Sequence, residues 1–207
     1  MAFGKVERDL YLWQKLENKA MKRILLAAVA LLCAANLFAG GLTVKSGDVS
    51  VLKTPAQAKV VFDYSKTYVG EDGAKTKTLT QYLKSRGADF VKDWPNDHVE
   101  AESYFINRFN KKNKKGLTIA EGGKPAYIIT VKVEVLDMGN AAAAAFGMSS
   151  KAGGAIMWGK VFVKDAKKGK VLLTVDVDEV KGLKSYSETT RLGLCYGDLA
   201  TRLAKLK

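Results

Sequence analysis

The chain has one histidine, two cysteines and three prolines in 207 residues. It is also short of acid: 21 Asp and Glu stand against 34 Lys and Arg, a formal net charge of +13. Each shortage excludes something. A lone histidine, His98, leaves no histidine-rich metal centre, because zinc sites draw on several His and Cys ligands. Beside a helix start it reads as a surface residue, not as a ligand or base. Only Cys195 lies beyond the first forty residues, so that part of the chain makes no internal disulfide, and the thiol reads as a buried apolar group. No clustered nucleophile, base and orienting group stands out. Ser149-Ser150-Lys151 lacks the flanking motifs of Ser-Lys enzymes, and Asp176, Asp178 and Glu179 offer too few oxygens in a tight loop for calcium. The chain therefore reads as no enzyme, with no metal and no cofactor. It is not short of hydrophobic residues: 47% hydrophobic against 27% charged is globular composition, not disorder.

The start of the chain reads as a targeting segment. From Met21 the sequence is MKRILLAAVALLCAANLFAGG. Lys22 and Arg23 form a basic head, Ile24 to Leu32 is apolar without a break, and Ala39 offers a small residue for cleavage. This is the layout of a secretory signal peptide. The rival reading is a retained anchor, since Ile24 to Val44 carries no charge and about 20 residues span a bilayer. Ala30, Leu31 and Leu32 do not suit lipidation of Cys33. Residues 1–20 read as an upstream start or an extension, 21–39 as the signal peptide, and 40–207 as a single α+β domain. Removing residues 1–39 takes away six basic and three acidic residues and leaves the domain basic. A domain of that size buries about 70% of its unfolded surface and can fold alone.

Hydrophobic periodicity organises the domain. Leu42 to Leu52 reads as a strand or strand pair, and Lys59 to Tyr64 as a stronger strand. Leu79 to Arg86 reads as a short helix that Gly87 ends. Pro95 suits the first position of the next helix, with Val99, Ile106 and Phe109 on one face. The run Asn110 to Gly116, NKKNKKG, ends it. In YIITVKVEVL, Tyr127, Ile129, Val131, Val133 and Val135 point one way. Met157, Val161 and Val163 share a face in the next strand, and Val171, Leu173, Val175 and Val177 in the one after. Three half-buried antiparallel strands follow from this parity. The connection Asp165 to Gly169 reads as a hairpin loop, pairing residue 163 with 171 and 161 with 173. In that hairpin the acidic run offsets Lys160 and Lys164. Ser185-Tyr186-Ser187-Glu188 has capping-box spacing for a last helix. Its stripe is Leu192, Cys195/Tyr196, Leu199, Leu203 and Leu206, and Gly193, Gly197 and Ala200 allow close approach to a sheet.

The stretch Gly139 to Gly159, GNAAAAAFGMSSKAGGAIMWG, lies between two of these strands. A phosphate loop needs a Lys followed by Ser or Thr and a helix to receive it. Here Lys151 precedes Ala152, Lys160 precedes Val161, and the stretch leads into a strand. A spanning hairpin would leave its edges unsatisfied in lipid. The stretch reads as a small-residue connection whose Phe146, Met148, Ile156 and Trp158 can meet a partner. The basic run offers a second candidate site, Lys111, Lys112, Lys114 and Lys115, with Trp94 and Tyr104 nearby, which suits a polyanion. A solvated helix end explains the same lysines. Export points away from nucleic acid and toward an envelope protein, an anionic glycan or lipid head groups.

YIITVKVEVLDMGN, the Gly/Ala-rich connection, GKVFVKDAKKGKVL and an Arg-containing last helix together resemble a group of uncharacterised exported bacterial envelope proteins. Their fold is similar to the α/β sandwich of the curli secretion-channel subunit and the TolB amino-terminal domain. The resemblance covers residues 59–207. It implies a sheet backed by two helices and a place in the periplasm or at the outer membrane or cell surface, and it carries no catalytic residues. The fold expected is α+β: a mostly antiparallel sheet with two main helices on one face, in the order β-β-α-β-β-β-β-α. The function expected is a non-enzymatic binding or assembly module of the envelope. The alternative is a polyanion- or glycan-binding protein, and a hydrolase using Asp176, Asp178 or His98 comes last.

Overall fold

The computed structural model describes residues 41–146 and 153–206. The start-site, signal-peptide and anchor readings for residues 1–39, and those for Met148 and Ser149-Ser150-Lys151, lie outside the described residues. The described part belongs to one unit, Gly41–Lys207, and its whole core lies between Val51 and Ala204.

Eight strands form one mixed sheet among the described residues. They are β1 (Leu42–Gly47), β2 (Gln57–Asp63), β3 (Tyr68–Val69), β4 (Lys77–Thr78), β5 (Thr118–Ile119), β6 (Tyr127–Asp137), β7 (Ile156–Asp165) and β8 (Val171–Lys181). The helices are α1 (Leu79–Arg86), α2 (Ala88–Lys112), α3 (Ala141–Phe146) and α4 (Glu188–Leu203). The sheet runs β1-β8-β7-β6-β2-β5, with β3 joined to β6 and to β4. The pairs β1/β8, β8/β7 and β7/β6 are antiparallel. β2 lies parallel to both β6 and β5, and β3 parallel to β6. The sheet is thus mixed: α1 and α2 intervene between β2 and β6, and such a crossover lets strands run the same way.

The α+β sandwich follows the expected design. Ile129, Val131, Val133, Val161, Val163, Leu173 and Val175 are buried on one face under α2 and α4. Phe62 of β2 joins the layers, with ring centroids 5.5 Å from Phe105 on α2 and 4.9 Å from Tyr196 on α4. Burying a side chain such as Phe105 contributes about 1.5–3 kcal/mol.

Five readings need correction. Pro95 does not start a helix; α2 begins at Ala88 and contains it. The earlier turns are held because Phe90 and Trp94 pack on the core, and the Arg86 guanidinium lies 4.4 Å from the Phe90 ring centroid. Val99 is 57% exposed, while Ala101, Phe105 and Phe109 form the buried stripe. The β7/β8 register pairs Val163 with Leu173 and Val161 with Val175, two residues from the expected pairing. A two-residue shift keeps every side chain on its face. Gly169, at φ +66°, closes the turn, where the Asp165 carboxylate accepts the Lys167 and Lys168 N–H groups. Finally, Ser187, not Ser185, caps α4. Gly193 and Gly197 admit α2, not the sheet: a Cβ on them would meet the Tyr104 ring at 2.7 Å and the Arg108 side chain at 3.2 Å.

Candidate functional site

The basic run folds into a defined groove. Lys111 and Lys112 close α2, where cationic side chains suit the helix dipole. Asn113 then turns the chain. Its N–H reaches the Phe109 carbonyl at 2.8 Å. Its buried side-chain amide donates to the Leu52 carbonyl at 2.7 Å and the Leu117 carbonyl at 2.8 Å. One turn earlier, Asn110 exchanges two hydrogen bonds with the Ile119 backbone, at 2.7 and 2.8 Å, as a neighbouring strand would. Gly116 has no room for a side chain, since a Cβ would meet the Leu52 carbonyl oxygen at 2.6 Å. The loop is therefore fixed from beneath, and its lysines project from a rigid base.

Lys53 joins them from the turn after β1. Its Nζ donates to the Ala204 carbonyl at the end of α4, at 2.8 Å. Lys53, Lys111, Lys112, Lys114 and Lys115 frame a groove of about 400 Å³ with Asn113 and Gly116. No acidic residue lines it. Among the described residues, none of the five lysines pairs with a carboxylate. Trp94 and Tyr104 are not among the lining residues, so stacking aromatics are absent from this groove. Lys53, Asn110 and Asn113 were not singled out in the sequence. The Asn-x-x-Asn spacing across a helix end was the available signal.

A larger hollow of about 590 Å³ lies between β3, β6 and the start of α1, lined in part by Lys66, Lys75 and Lys132. Part of its charge is already engaged. Lys132 pairs with Glu134 at 3.3 Å, and Lys75 lies 5.7 Å from the Tyr68 ring centroid.

The connection after β6 is clamped at its base. Arg191, 4% exposed, donates to the carbonyls of Met138, Ser185 and Tyr186 at 2.9, 3.0 and 2.9 Å. Backbone crowds backbone here: a Cβ on Gly139 would meet the Gly153 carbonyl oxygen at 2.3 Å, and one on Gly154 the Gly182 carbonyl oxygen at 2.3 Å. The glycines serve this crossing. The stretch leads into β7 as read, but it holds a short helix that the sequence did not show, α3, capped by the Asn140 carboxamide oxygen on the Ala142 and Ala143 N–H groups. α3 holds only alanines and Phe146, which is 88% exposed. Trp158 is elsewhere. It lies on β7 opposite Val135, half-buried, with its ring 3.3 Å from where a Cβ on Gly73 would stand. Ile156 is buried. Of the residues proposed for this connection, the structure leaves Phe146 exposed.

His98 is half-buried and does not stand at a helix start. It stands inside α2 with Nδ1 2.9 Å from Glu102, packed on Tyr64 and Trp94 at 5.5 and 5.6 Å between centroids. The Tyr64 hydroxyl donates to that of Tyr196 at 3.1 Å, and burial pushes both phenols well above their ordinary range. No group of three metal-ligating side chains occurs among the described residues. Cys195 is fully buried, donates to the Val180 carbonyl at 3.1 Å, and burial pushes its thiol up. Asp176 meets Lys160 at 2.7 Å and Lys45 at 3.2 Å. Their hydrogen bonds hold its carboxyl below the ordinary value, the Lys160 bond most. Lys164 is not part of that set; it lies 5.9 Å from the Phe162 ring centroid.

No family model and no curated protein matches the chain. Among solved structures, it is similar to a PelC dodecamer from Paraburkholderia phytofirmans at 12% identity and TM-score 0.40, covering 80% of this chain and 98% of that one. It is also similar to a Xanthomonas campestris protein of the DUF330 family model, at 11% identity and TM-score 0.30, covering 78% and 87%. Likenesses at these scores assign the chain no partner and no activity.

Proposed function

We propose that this chain is a non-enzymatic binding module of the bacterial envelope that holds an acidic polymer, an anionic glycan first among them, in the groove of Lys53, Lys111, Lys112, Lys114 and Lys115. The observation that carries the reading is the acid-free lysine set on a rigid base, none of whose lysines pairs with a carboxylate among the described residues. Exposed lysines on mobile loops lose side-chain entropy when they bind, and a fixed backbone reduces what is left to order. Polymers of repeated carboxylate or phosphate charge match several lysines at once. The envelope assignment rests on the apolar segment after Met21 and on the family resemblance, and no nucleic acid is invoked.

Retention of residues 41–207 on a polygalacturonate resin tests it. The domain should bind at low ionic strength and elute as salt shortens the screening length to about 8 Å near 0.15 M. Deleting Ala141–Ala145 should leave retention unchanged. Free passage of the domain at low salt contradicts the proposal.

A further inference from the structure

A hollow of about 270 Å³ opens beside the lysine groove and shares Lys112 with it. Two helices and a strand end build it. Tyr104, Arg108 and Lys112 follow one another at four-residue spacing along one face of α2. Gly197 and Asp198 meet them from α4, and Lys181, the last residue of β8, adds a third cation. Gly197 leaves its part of the wall bare, and the Arg108 stem lies across it. A Cβ on Gly197 would stand 3.2 Å from Arg108 Cγ and 3.9 Å from its Nε. The Tyr104 ring rests in the same way on Gly193, 2.7 Å from where a Cβ would stand. The packing of α2 on α4 thus places both side chains before any ligand arrives.

The lining is chemically mixed, unlike that of the groove. Among the described residues, Arg108, Lys112 and Lys181 pair with no carboxylate. Asp198 is the one acidic residue of the lining. Its Oδ2 accepts from Arg202 Nε at 2.9 Å, which leaves Oδ1 to accept a further donor. Cations alone suit any polyanion. A carboxylate among them repels anionic oxygen and favours a ligand that brings donors of its own. A sugar acid brings both kinds of group. Its carboxylate fits the Arg108 fork, its hydroxyls donate to Asp198, and its C–H face packs on the Tyr104 ring. The volume is that of about nine waters at about 30 Å³ each, room for one such unit. We propose that this hollow is a subsite for one uronate unit of the polymer held in the groove, so that the protein selects hydroxylated acidic glycans over chains of phosphate. The subsite rests on the groove reading, through the Lys112 that both share.

Calorimetric titration of the purified protein with polygalacturonate and with polyphosphate, at matched ionic strength, tests this. Asp198→Ala removes a negative charge and an acceptor together. Diffuse attraction alone predicts tighter binding of both polymers by that variant. The subsite predicts opposite signs: polygalacturonate at least about fivefold weaker, and polyphosphate held at least as tightly as by the parent. A misfolded variant cannot give that pair of results. Arg108→Lys keeps the charge and loses the planar fork, so polygalacturonate should weaken at least about threefold and polyphosphate change by less than about twofold. Unchanged or tighter polygalacturonate binding by Asp198→Ala, or equal weakening of both polymers, overturns the subsite and leaves the groove standing. So does unaltered polygalacturonate binding by Arg108→Lys. Failure of the parent to bind either polymer at low salt removes the groove and the subsite together.

Discussion

Asn113 shows how one buried side chain fixes a surface. Its amide holds the Leu52 and Leu117 carbonyls together beneath the basic loop. Asn113→Ala would strip the Leu117 carbonyl of its side-chain donor, at about 1–3 kcal/mol, and take one of two donors from the Leu52 carbonyl, which keeps the Leu117 N–H at 3.1 Å, at about 1 kcal/mol. A urea melt should show a loss of about 2–4 kcal/mol, and hydrogen exchange should quicken at Gly116 and Leu117. Asn113→Asp keeps the shape but removes the donors, and should be at least as harmful. Asp176 supplies a residue-scale pH dependence. Its carboxyl titrates below the ordinary 3.8 because Lys160 and then Lys45 bond its ionised form. A depressed folded value means that this contribution is present above the unfolded pKa and disappears as pH falls through the folded one. Stability measured from pH 5 downward should therefore fall less steeply in Asp176→Asn than in the parent, and parallel curves would contradict the pairing.

At the scale of elements, the sheet bends where strands gain residues. The β6/β7 ladder shifts between Val133 and Val135, and the β7/β8 ladder between Met157 and Gly159. Gly159 stands at both irregularities because a Cβ there would meet the Lys132 carbonyl oxygen at 2.1 Å. Gly159→Ala should therefore cost more than the usual strand gain from losing a glycine, about 1–3 kcal/mol net in a chemical melt; a stabilised variant would contradict the close approach. Val161, fully buried, contrasts with its neighbour. Val161→Asp should cost upwards of about 3 kcal/mol. Lys160→Asp should cost about 1 kcal/mol, since it faces Asp176 and turns an attraction into a repulsion.

These elements also mark what the sequence could reveal. Alternation was readable from Ile129 to Val133 and from Leu173 to Val177, because a period of two survives any pairing. It failed at Val135, which faces Trp158 after the extra residue, since a bulge is decided by the partner strand. The parallel placement of β2 on β6 was invisible because pairing across α1 and α2 leaves no local trace. α1 was readable to its ends, through apolar spacing and Gly87. The start of α2 was not, because packing by Phe90 and Trp94 outweighs the local preference of Pro95. The lysines of the groove were legible as a run. Lys53 was not, because the chain brings it there only by folding.

For the whole molecule, α4 ties two fixed points together. The Arg191 clamp sits in its first turn and the Lys53 contact at Ala204 just beyond its last, about 20 Å apart at 1.5 Å per residue. Net charge alone could draw any polyanion to a basic domain, so the central claim is that charge acts from one place. Calorimetric titration of residues 41–207 with polygalacturonate, at matched ionic strength, decides this. One variant carries Lys111→Glu, Lys112→Glu, Lys114→Glu and Lys115→Glu. The control carries Lys164→Glu, Lys167→Glu, Lys168→Glu and Lys170→Glu, an equal change in net charge on the β7/β8 hairpin. The groove variant should bind at least about tenfold more weakly than the parent, a loss of about 1.4 kcal/mol, and the hairpin control within about threefold of it. Equal loss in the two variants would contradict a built site and leave only a diffuse field.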